Sequence, residues 1–241
     1  MASASPISVL GIASIVVLAA AVSGCATTQD ANKRASIVAD RTLASREPLK
    51  LEGRDRHVQV VSTSVVNGGD GSAIVVVLRN RGDDAVNDLP IEVGVRGGPA
   101  LNAGRNVPYF QSHAPAMGAG EESTWVYTSK DRISGPAFAL VGAPASPPFT
   151  TARDVPELVV SAPHAVRKDG SVRAEIANDT GVPQYALDVY AVARKGDRYV
   201  AAGRASVLHL GPGQKADLRL SLVGDAKGSR IQIFAPPTLF E

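Results

Sequence analysis

From about Leu51 onward, short runs rich in Val, Ile, Leu and Tyr alternate with clusters of Gly, Asn, Asp and Pro. This texture is typical of β-strands joined by turns. The chain contains 23 glycines and 16 prolines among its 241 residues, spread too evenly for long helices. Apolar residues after residue 50 do not recur with a helical period. The sequence therefore predicts an all-β fold that follows an N-terminal region of different character.

Alternating apolar residues predict two sets of strands. The first set is Val58–Val66, Ala73–Arg79, Leu89–Val95, Ser123–Thr128 and Ala137–Gly142. The second set is Leu158–Ser161, Ser171–Ala177, Tyr185–Arg194, Tyr199–Val207, Ala216–Leu222 and Ile231–Phe234. An Ala-Pro-Ala-Ser-Pro-Pro stretch between the sets suits a semi-rigid linker. We therefore predict two domains, residues 51–142 and 156–241, which fold separately and are joined by a linker over residues 143–155.

The two strand sets look like copies of one unit. Gly71–Asn80 aligns with Gly170–Asn178 with one gap, and the alternating positions from Leu89 align with those from Leu187 at a constant offset of 98. In both copies an early strand ends in Asn with a Gly two or three residues later (Asn80 and Gly82, Asn178 and Gly181), and a Gly-x-Gly precedes a late strand. Because Asn and Gly tolerate positive φ, we expect sharp turns at these positions.

The order of strands and turns makes an antiparallel sandwich. It resembles the immunoglobulin-like or fibronectin-like sandwiches of bacterial surface lipoproteins. In the second copy, residues 189–203 resemble the central hairpin of FxLYD-type domains, although the phenylalanine and the Leu-Tyr-Asp string are absent. The resemblance implies two tandem immunoglobulin-like β-sandwiches with roles in adhesion, assembly or scaffolding more than catalysis. Along the predicted strand Tyr185–Arg194, Leu187 and Val189 should face the core and Asp188 the solvent.

An uncharged apolar run from Ile7 to Val22 precedes the only cysteine of the chain, Cys25. The run is shorter than the ~20 residues of a membrane-spanning helix and suits a signal peptide. Val22, Ser23, Gly24 and Cys25 together resemble the bacterial lipobox, in which small residues precede a cysteine that receives lipid. The resemblance implies a signal peptide over residues 1–24, a lipid such as palmitate on Cys25, and a flexible tether over residues 25–50.

Met1–Pro6 lacks the Lys or Arg that signal peptides usually carry. Two alternatives therefore stay open: the true start lies elsewhere, or the segment is kept as an uncleaved N-terminal anchor helix. With lipid on Cys25, the protein would be held on a bacterial cell membrane and would face outside the cytoplasm. The lone cysteine also leaves no intramolecular disulfide, so core burial and sheet hydrogen bonds must hold the domains together.

The charges are nearly balanced, with 25 Lys and Arg against 23 Asp and Glu, a net charge of +2. No segment is strongly one-signed, and nucleic-acid binding therefore lacks its electrostatic footprint. We expect the partner to be a protein or an envelope polymer, and no nucleic acid.

Residues with the chemistry for a site are few. The four histidines, His57, His113, His164 and His209, do not pair at metal-ligand spacing with one another or with cysteine. His113 and Met117 are the closest approach to a soft-metal pair, of the kind used in exported copper handling. We predict no resident metal and no cofactor, with this pair as the weak exception.

Two further patterns have ordinary explanations. Asp179-Thr180-Gly181 matches the aspartic-protease triplet, but that chemistry needs two such carboxylates, and a single triplet is typical of a β-turn. Trp125 and Tyr127 alternate on one strand face, which indicates a core position, with a glycan-binding aromatic platform as the alternative. The sequence thus predicts a non-catalytic, membrane-anchored binding or scaffolding module without catalytic residues. The alternatives are an exported small-ligand or metal carrier and an envelope enzyme.

Overall fold

A computed structural model describes residues 51, 53–87, 89–96, 108–143, 155–163, 166, 167 and 169–238. The regular secondary structure of these residues consists of antiparallel β-strands, which confirms the predicted all-β fold. The predicted N-terminal helix, the tether and residues 144–154 of the predicted linker lie outside the described residues. The exact domain boundaries stay predictions.

The first six strands form a sandwich of two sheets. They are β1 (Val58–Gly68), β2 (Gly71–Asn80), β3 (Pro90–Val95), β4 (Pro108–His113), β5 (Glu122–Ser129) and β6 (Ala137–Val141). One sheet has the order β1-β2-β5 and the other the order β4-β3-β6. Ile74, Trp125 and Ile91 are almost completely buried in the core of this sandwich. A hydrogen bond from Thr63 Oγ1 to the carbonyl of Ala137, 2.8 Å long, links the two sheets.

The remaining strands form the second sandwich. They are β7 (Val159–Val160), β8 (Ser171–Ala177), β9 (Gln184–Lys195), β10 (Arg198–Leu210), β11 (Lys215–Ser221), β12 (Val223–Gly224) and β13 (Arg230–Phe234). One sheet has the order β11-β8-β7 and the other the order β12-β10-β9-β13. Its core contains Leu187, Val189, Leu220 and their apolar neighbours.

The sheet orders agree with the predicted repeat. Strands β1, β2 and β5 take the same places in the first sandwich as β7, β8 and β11 take in the second. Likewise β4-β3-β6 corresponds to β10-β9-β13, and β12 is an addition at the edge of the second sandwich. The eleven predicted strands are all present within a few residues of their predicted bounds, whereas β4 and β12 were not predicted.

A fully buried asparagine marks the same corner of both sandwiches, Asn80 at the end of β2 and Asn178 directly after β8. Each side-chain amide donates to carbonyl groups of two neighbouring loops. These acceptors include Asp84 O (2.7 Å) and Gly118 O (3.0 Å) for Asn80, and Val182 O (2.8 Å) and Leu210 O (2.9 Å) for Asn178. Neither asparagine has positive φ. The predicted reason for these residues was therefore wrong: they are there for side-chain hydrogen bonds and not for backbone freedom.

The predicted Gly-x-Gly turns do depend on positive φ. Gly120 has φ 73° and Gly213 has φ 70°, a region that is costly for residues with a Cβ atom. In both turns the side chain three residues after the first glycine accepts a hydrogen bond from the backbone N–H of that glycine. Glu121 Oε2 accepts from the N–H of Gly118 (2.6 Å), and Gln214 Oε1 accepts from the N–H of Gly211 (2.8 Å). The two corners are thus built alike, with an acid in one and an amide in the other.

The sandwiches pack on each other through the sheets β1-β2-β5 and β12-β10-β9-β13. One continuous core cluster contains the interior of the first sandwich and also Tyr190, Val192 and Ala202 of the second. Along β2, successive side chains point to opposite faces, so that Ile74 faces the first sandwich's own core and Val75 faces the second sandwich. Both are buried. The described residues therefore form four stacked β-layers, of which the two middle sheets are covered on both faces.

Two glycines allow this junction to close. A Cβ atom on Gly68 would lie 2.6 Å from the amide nitrogen of Gly224, and one on Gly224 would lie 2.9 Å from Val66 Cγ1. Real Cβ atoms do not approach other atoms so closely, so the backbones of β1 and β12 meet only because both side chains are absent.

We expect Gly68→Ala to destabilise the protein by about 1–3 kcal/mol, the usual cost of overpacking a well-packed site. The adjacent Gly69 is the matched control, because a Cβ atom there would meet nothing within 4 Å. Gly69→Ala should therefore change the free energy of unfolding by about 0.5 kcal/mol or less. Chemical denaturation of both variants measures the difference. Equal unfolding midpoints would contradict the close approach of Gly68 to Gly224.

Candidate functional site

The predicted anchor residues, Val22, Ser23, Gly24 and Cys25, lie outside the described residues. Within the part of the chain that the structure covers, there is no apolar helix of membrane-spanning length. The lipid attachment therefore stays a prediction of the sequence.

The weak metal candidates occupy different environments. Met117 is completely buried in the core of the first sandwich, and its backbone pairs with Val86 through two hydrogen bonds of 3.0 and 2.9 Å. His113 is half-buried at the end of β4, opposite Pro90 of β3. Packing alone thus accounts for Met117. Among the described residues, no group of three or more His, Cys, Asp or Glu side chains could hold a metal ion.

The other singled-out residues have structural roles. Trp125 is completely buried, so its indole belongs to the core and is not a surface platform for glycans. Tyr127, two residues along β5, is half-buried and packs against the same core. Asp179-Thr180-Gly181 lies in the turn after β8, where Thr180 Oγ1 donates to Asn178 Oδ1 at 2.6 Å. The triplet is therefore a turn, as predicted.

Two polar side chains, Asp188 and Tyr190, lie on the face of β9 that packs against the first sandwich. Asp188 shares this face with Tyr190 and is half-buried, whereas the sequence predicted a solvent-facing position. Burial raises the pKa of Asp188, while the charge of Arg204 on β10 and a hydrogen bond from Tyr190 act in the opposite direction. Burial also raises the pKa of Tyr190, whose hydroxyl lies 3.5 Å from Asp188 Oδ2. The prediction for Asp188 was wrong because the outer face of this sheet is a junction between sandwiches.

A cleft of about 770 Å³ opens beside this junction. One wall is formed by residues 116–123 of the first sandwich, which are the loop before β5 and the start of that strand. The other walls are residues 155–160 and 233–237 of the second sandwich. Both strands that border it in the second sandwich, β7 and β13, are edge strands. Clefts of this size between two domains are common places for ligands to bind. Sequence reasoning missed this cleft, because its walls come from three segments that are far apart along the chain.

The cleft combines apolar walls with acidic side chains. Leu158, Val160, Ile233, Phe234 and Pro236 are among its apolar lining residues. Its charged lining residues are three glutamates, and Lys, Arg and His do not occur among the residues that line it. Glu121 accepts the hydrogen bond from Gly118, and Glu122 forms an ion pair with Arg79. Glu157 also lines the cleft and is exposed. The cleft can therefore hold an apolar group and attract positive charge.

Comparison with known proteins gives no relative from which a role could be transferred. No family model matches the sequence, and no curated protein shows significant similarity to it. The cleft and the sequence patterns are therefore the grounds for a functional proposal.

Proposed function

We propose that the protein is a lipid-anchored, non-catalytic binding or scaffolding module of the bacterial cell envelope. The apolar run that ends in Val22-Ser23-Gly24-Cys25 supports the anchor. The cleft between the two sandwiches is the observation that supports binding, because it is held between layers with a shared core. A cleft between rigid walls loses little conformational entropy when it binds a partner.

The tether adds a geometric argument. For the predicted tether over residues 25–50, a flexible coil of this length would have an r.m.s. reach of about 25–30 Å. This reach would carry the sandwiches clear of the lipid headgroups while keeping them at the membrane. The proposed role is therefore to present a stiff two-sandwich unit to a protein or envelope polymer outside the cytoplasm. The metal-carrier and enzyme alternatives stay predictions of the sequence, without a specific observation in their favour.

Cys25→Ser should block lipid attachment and leave the unprocessed precursor in the cell, because a hydroxyl cannot take the place of the thiol that receives the lipid. Intact-mass analysis of the purified protein and separation of membranes from soluble fractions measure the outcome. Thr27→Ser, two residues further on, is the control and should be processed and anchored as the unchanged protein is. If the wild-type protein retains residues 1–24 and has a free Cys25 thiol, the anchor proposal is wrong.

A further inference from the structure

The first sandwich shows how a chain covers the end of its last strand. Just after β6, the N–H of Ala143 donates to the carbonyl of Gly53 (3.2 Å), and the N–H of Asp55 donates to the carbonyl of Val141 (3.0 Å). Arg54 and Gly142 form an antiparallel bridge between these two bonds. An extended segment, residues 53–55, thus lies along the edge of the sheet.

In the second sandwich, the described residues leave the corresponding place open. Its last strand, β13, ends at Phe234 and is followed by Ala235, Pro236 and Pro237. Among the residues that the structure covers, none pairs with the outer edge of β13 or forms a backbone hydrogen bond to residues 235–237. Ala139 lies opposite Val93 and Ile233 opposite the equivalent Ala191, so Pro237 stands where the first sandwich has Ala143, and proline has no N–H to donate. Within the part of the chain that the structure describes, the repeat therefore has a covered edge in one copy and an open cleft in the other.

The charge of the cleft indicates what would fit there. Three glutamates and no basic residue line it, so a cationic ligand is attracted and an anionic one repelled. Glu157 is the carboxylate free to take part, since Glu121 and Glu122 already have partners. The apolar lining next to Glu157, including Leu158 and Val160, would take an aliphatic side chain.

We propose that this cleft binds an extended, basic segment of a partner protein, with an aliphatic side chain between the walls and Lys or Arg beside Glu157. The inference rests on the proposed binding function and names its partner class. The partner's backbone would take the place along β13 that residues 53–55 take along β6, with the carbonyl of Ala235, which corresponds to Val141, as acceptor. Strand addition to a sheet edge supplies affinity through the backbone, and the flanking pockets supply specificity.

The test uses the full chain in a non-ionic detergent and a fluorescent nine-residue peptide of alternating Lys and Val. Fluorescence anisotropy should show saturable binding, and the matching Glu-Val peptide should not bind. Glu157→Lys should weaken binding of the Lys-Val peptide at least tenfold. Asp197→Lys makes the same charge change at an exposed site in the β9–β10 turn, outside the cleft, and should weaken it less than twofold.

Ala119→Trp adds a steric test without a change of charge, because Ala119 is exposed and lines the cleft. We expect it to weaken peptide binding at least tenfold while the far-UV circular dichroism spectrum stays the same. The proposal would be overturned if the Lys-Val and Glu-Val peptides bound equally well, or if Glu157→Lys or Ala119→Trp bound the Lys-Val peptide as tightly as the wild-type protein does. The absence of saturable binding would also overturn it. Self-association of the unchanged chain that Ala119→Trp abolishes would also overturn it, in favour of a second copy. None of these outcomes depends on the lipid anchor, which the mass analysis of Cys25 tests separately.

Discussion

Asn178→Asp should destabilise the second sandwich by about 3–5 kcal/mol at neutral pH, the usual cost of a buried charge without an opposite charge beside it. The substitution keeps the size and shape of the side chain. It replaces an amide that donates to the carbonyls of Val182 and Leu210 by an oxygen that both carbonyls repel. The site is completely buried, so water cannot compensate for the lost bonds.

The pH dependence of this variant follows from its new carboxyl group. Burial next to carbonyl oxygens raises the pKa of that group in the folded state above its unfolded value. The loss of stability relative to the unchanged protein should therefore be largest at neutral pH and shrink as the pH falls through the folded pKa, where the group becomes protonated. Chemical denaturation of both proteins between about pH 4 and 7 measures this difference.

Gln214→Glu is the matched control for Asn178→Asp. It is also an amide-to-acid change in the same corner, but Gln214 is exposed and uses its oxygen as an acceptor for the N–H of Gly211. The first sandwich already has an acid, Glu121, at this place. Gln214→Glu should therefore change stability by about 0.5 kcal/mol or less. A similar loss in the two variants would contradict the role assigned to the amide of Asn178.

The sequence predicted the repeat correctly but not the role of the asparagine that both copies share. The aligned Asn80 and Asn178 were explained by the backbone conformations that asparagine tolerates, yet both serve through their side chains. A single chain does not distinguish these explanations, because both favour asparagine after a strand. The packing of two loops around the amide appears only when Leu210 and Gly118, far along the chain, are brought to the corner.

The junction between the sandwiches is visible in the sequence, but not as an alternation of apolar and polar residues. Ala73 to Leu78 is an unbroken run of apolar residues, which is typical of a strand covered on both faces. The corresponding strand β8 alternates instead, and its outward residues Arg173 and Glu175 are charged. The outer face of β2 is thus apolar, whereas the outer face of β8 is charged. An apolar outer face is what allows a third layer to cover the sheet. This difference explains why the second sandwich does not offer the same face for further stacking.

The cleft could not be predicted, because its walls come from segments that are far apart along the chain and come together only where the two sandwiches pack. Residues 116–123 belong to one repeat and residues 233–237 to the other. Pro236 and Pro237 are visible in the sequence as a strand end, but their open edge becomes apparent only by comparison with the paired residues 53–55. Strand β4 was also missed, because Pro108–His113 carries three polar residues in succession after Phe110.

Leu187→Ala should lower the free energy of unfolding by about 2–5 kcal/mol, the range for removal of a buried leucine. Leu187 is completely buried in the core of the second sandwich, opposite Val207 of β10. The variant loses the free energy gained by burying the leucine side chain away from water. It also has the cost of the cavity that remains between the two sheets. Chemical denaturation of the variant, followed by tryptophan fluorescence and by circular dichroism, measures this change.

Leu208→Ala is the control, because it makes the same chemical change on the neighbouring strand at a side chain that is 84% exposed. It should change stability by about 0.5 kcal/mol or less. The pair tests the register of β9 against β10, since a slip of one residue would move every side chain of a strand to the other face of the sheet. Equal losses in the two variants would mean that Leu208 is buried in solution. A small loss at Leu187 would mean that the core of the second sandwich is formed by the opposite face of β9, the face that carries Asp188 and Tyr190.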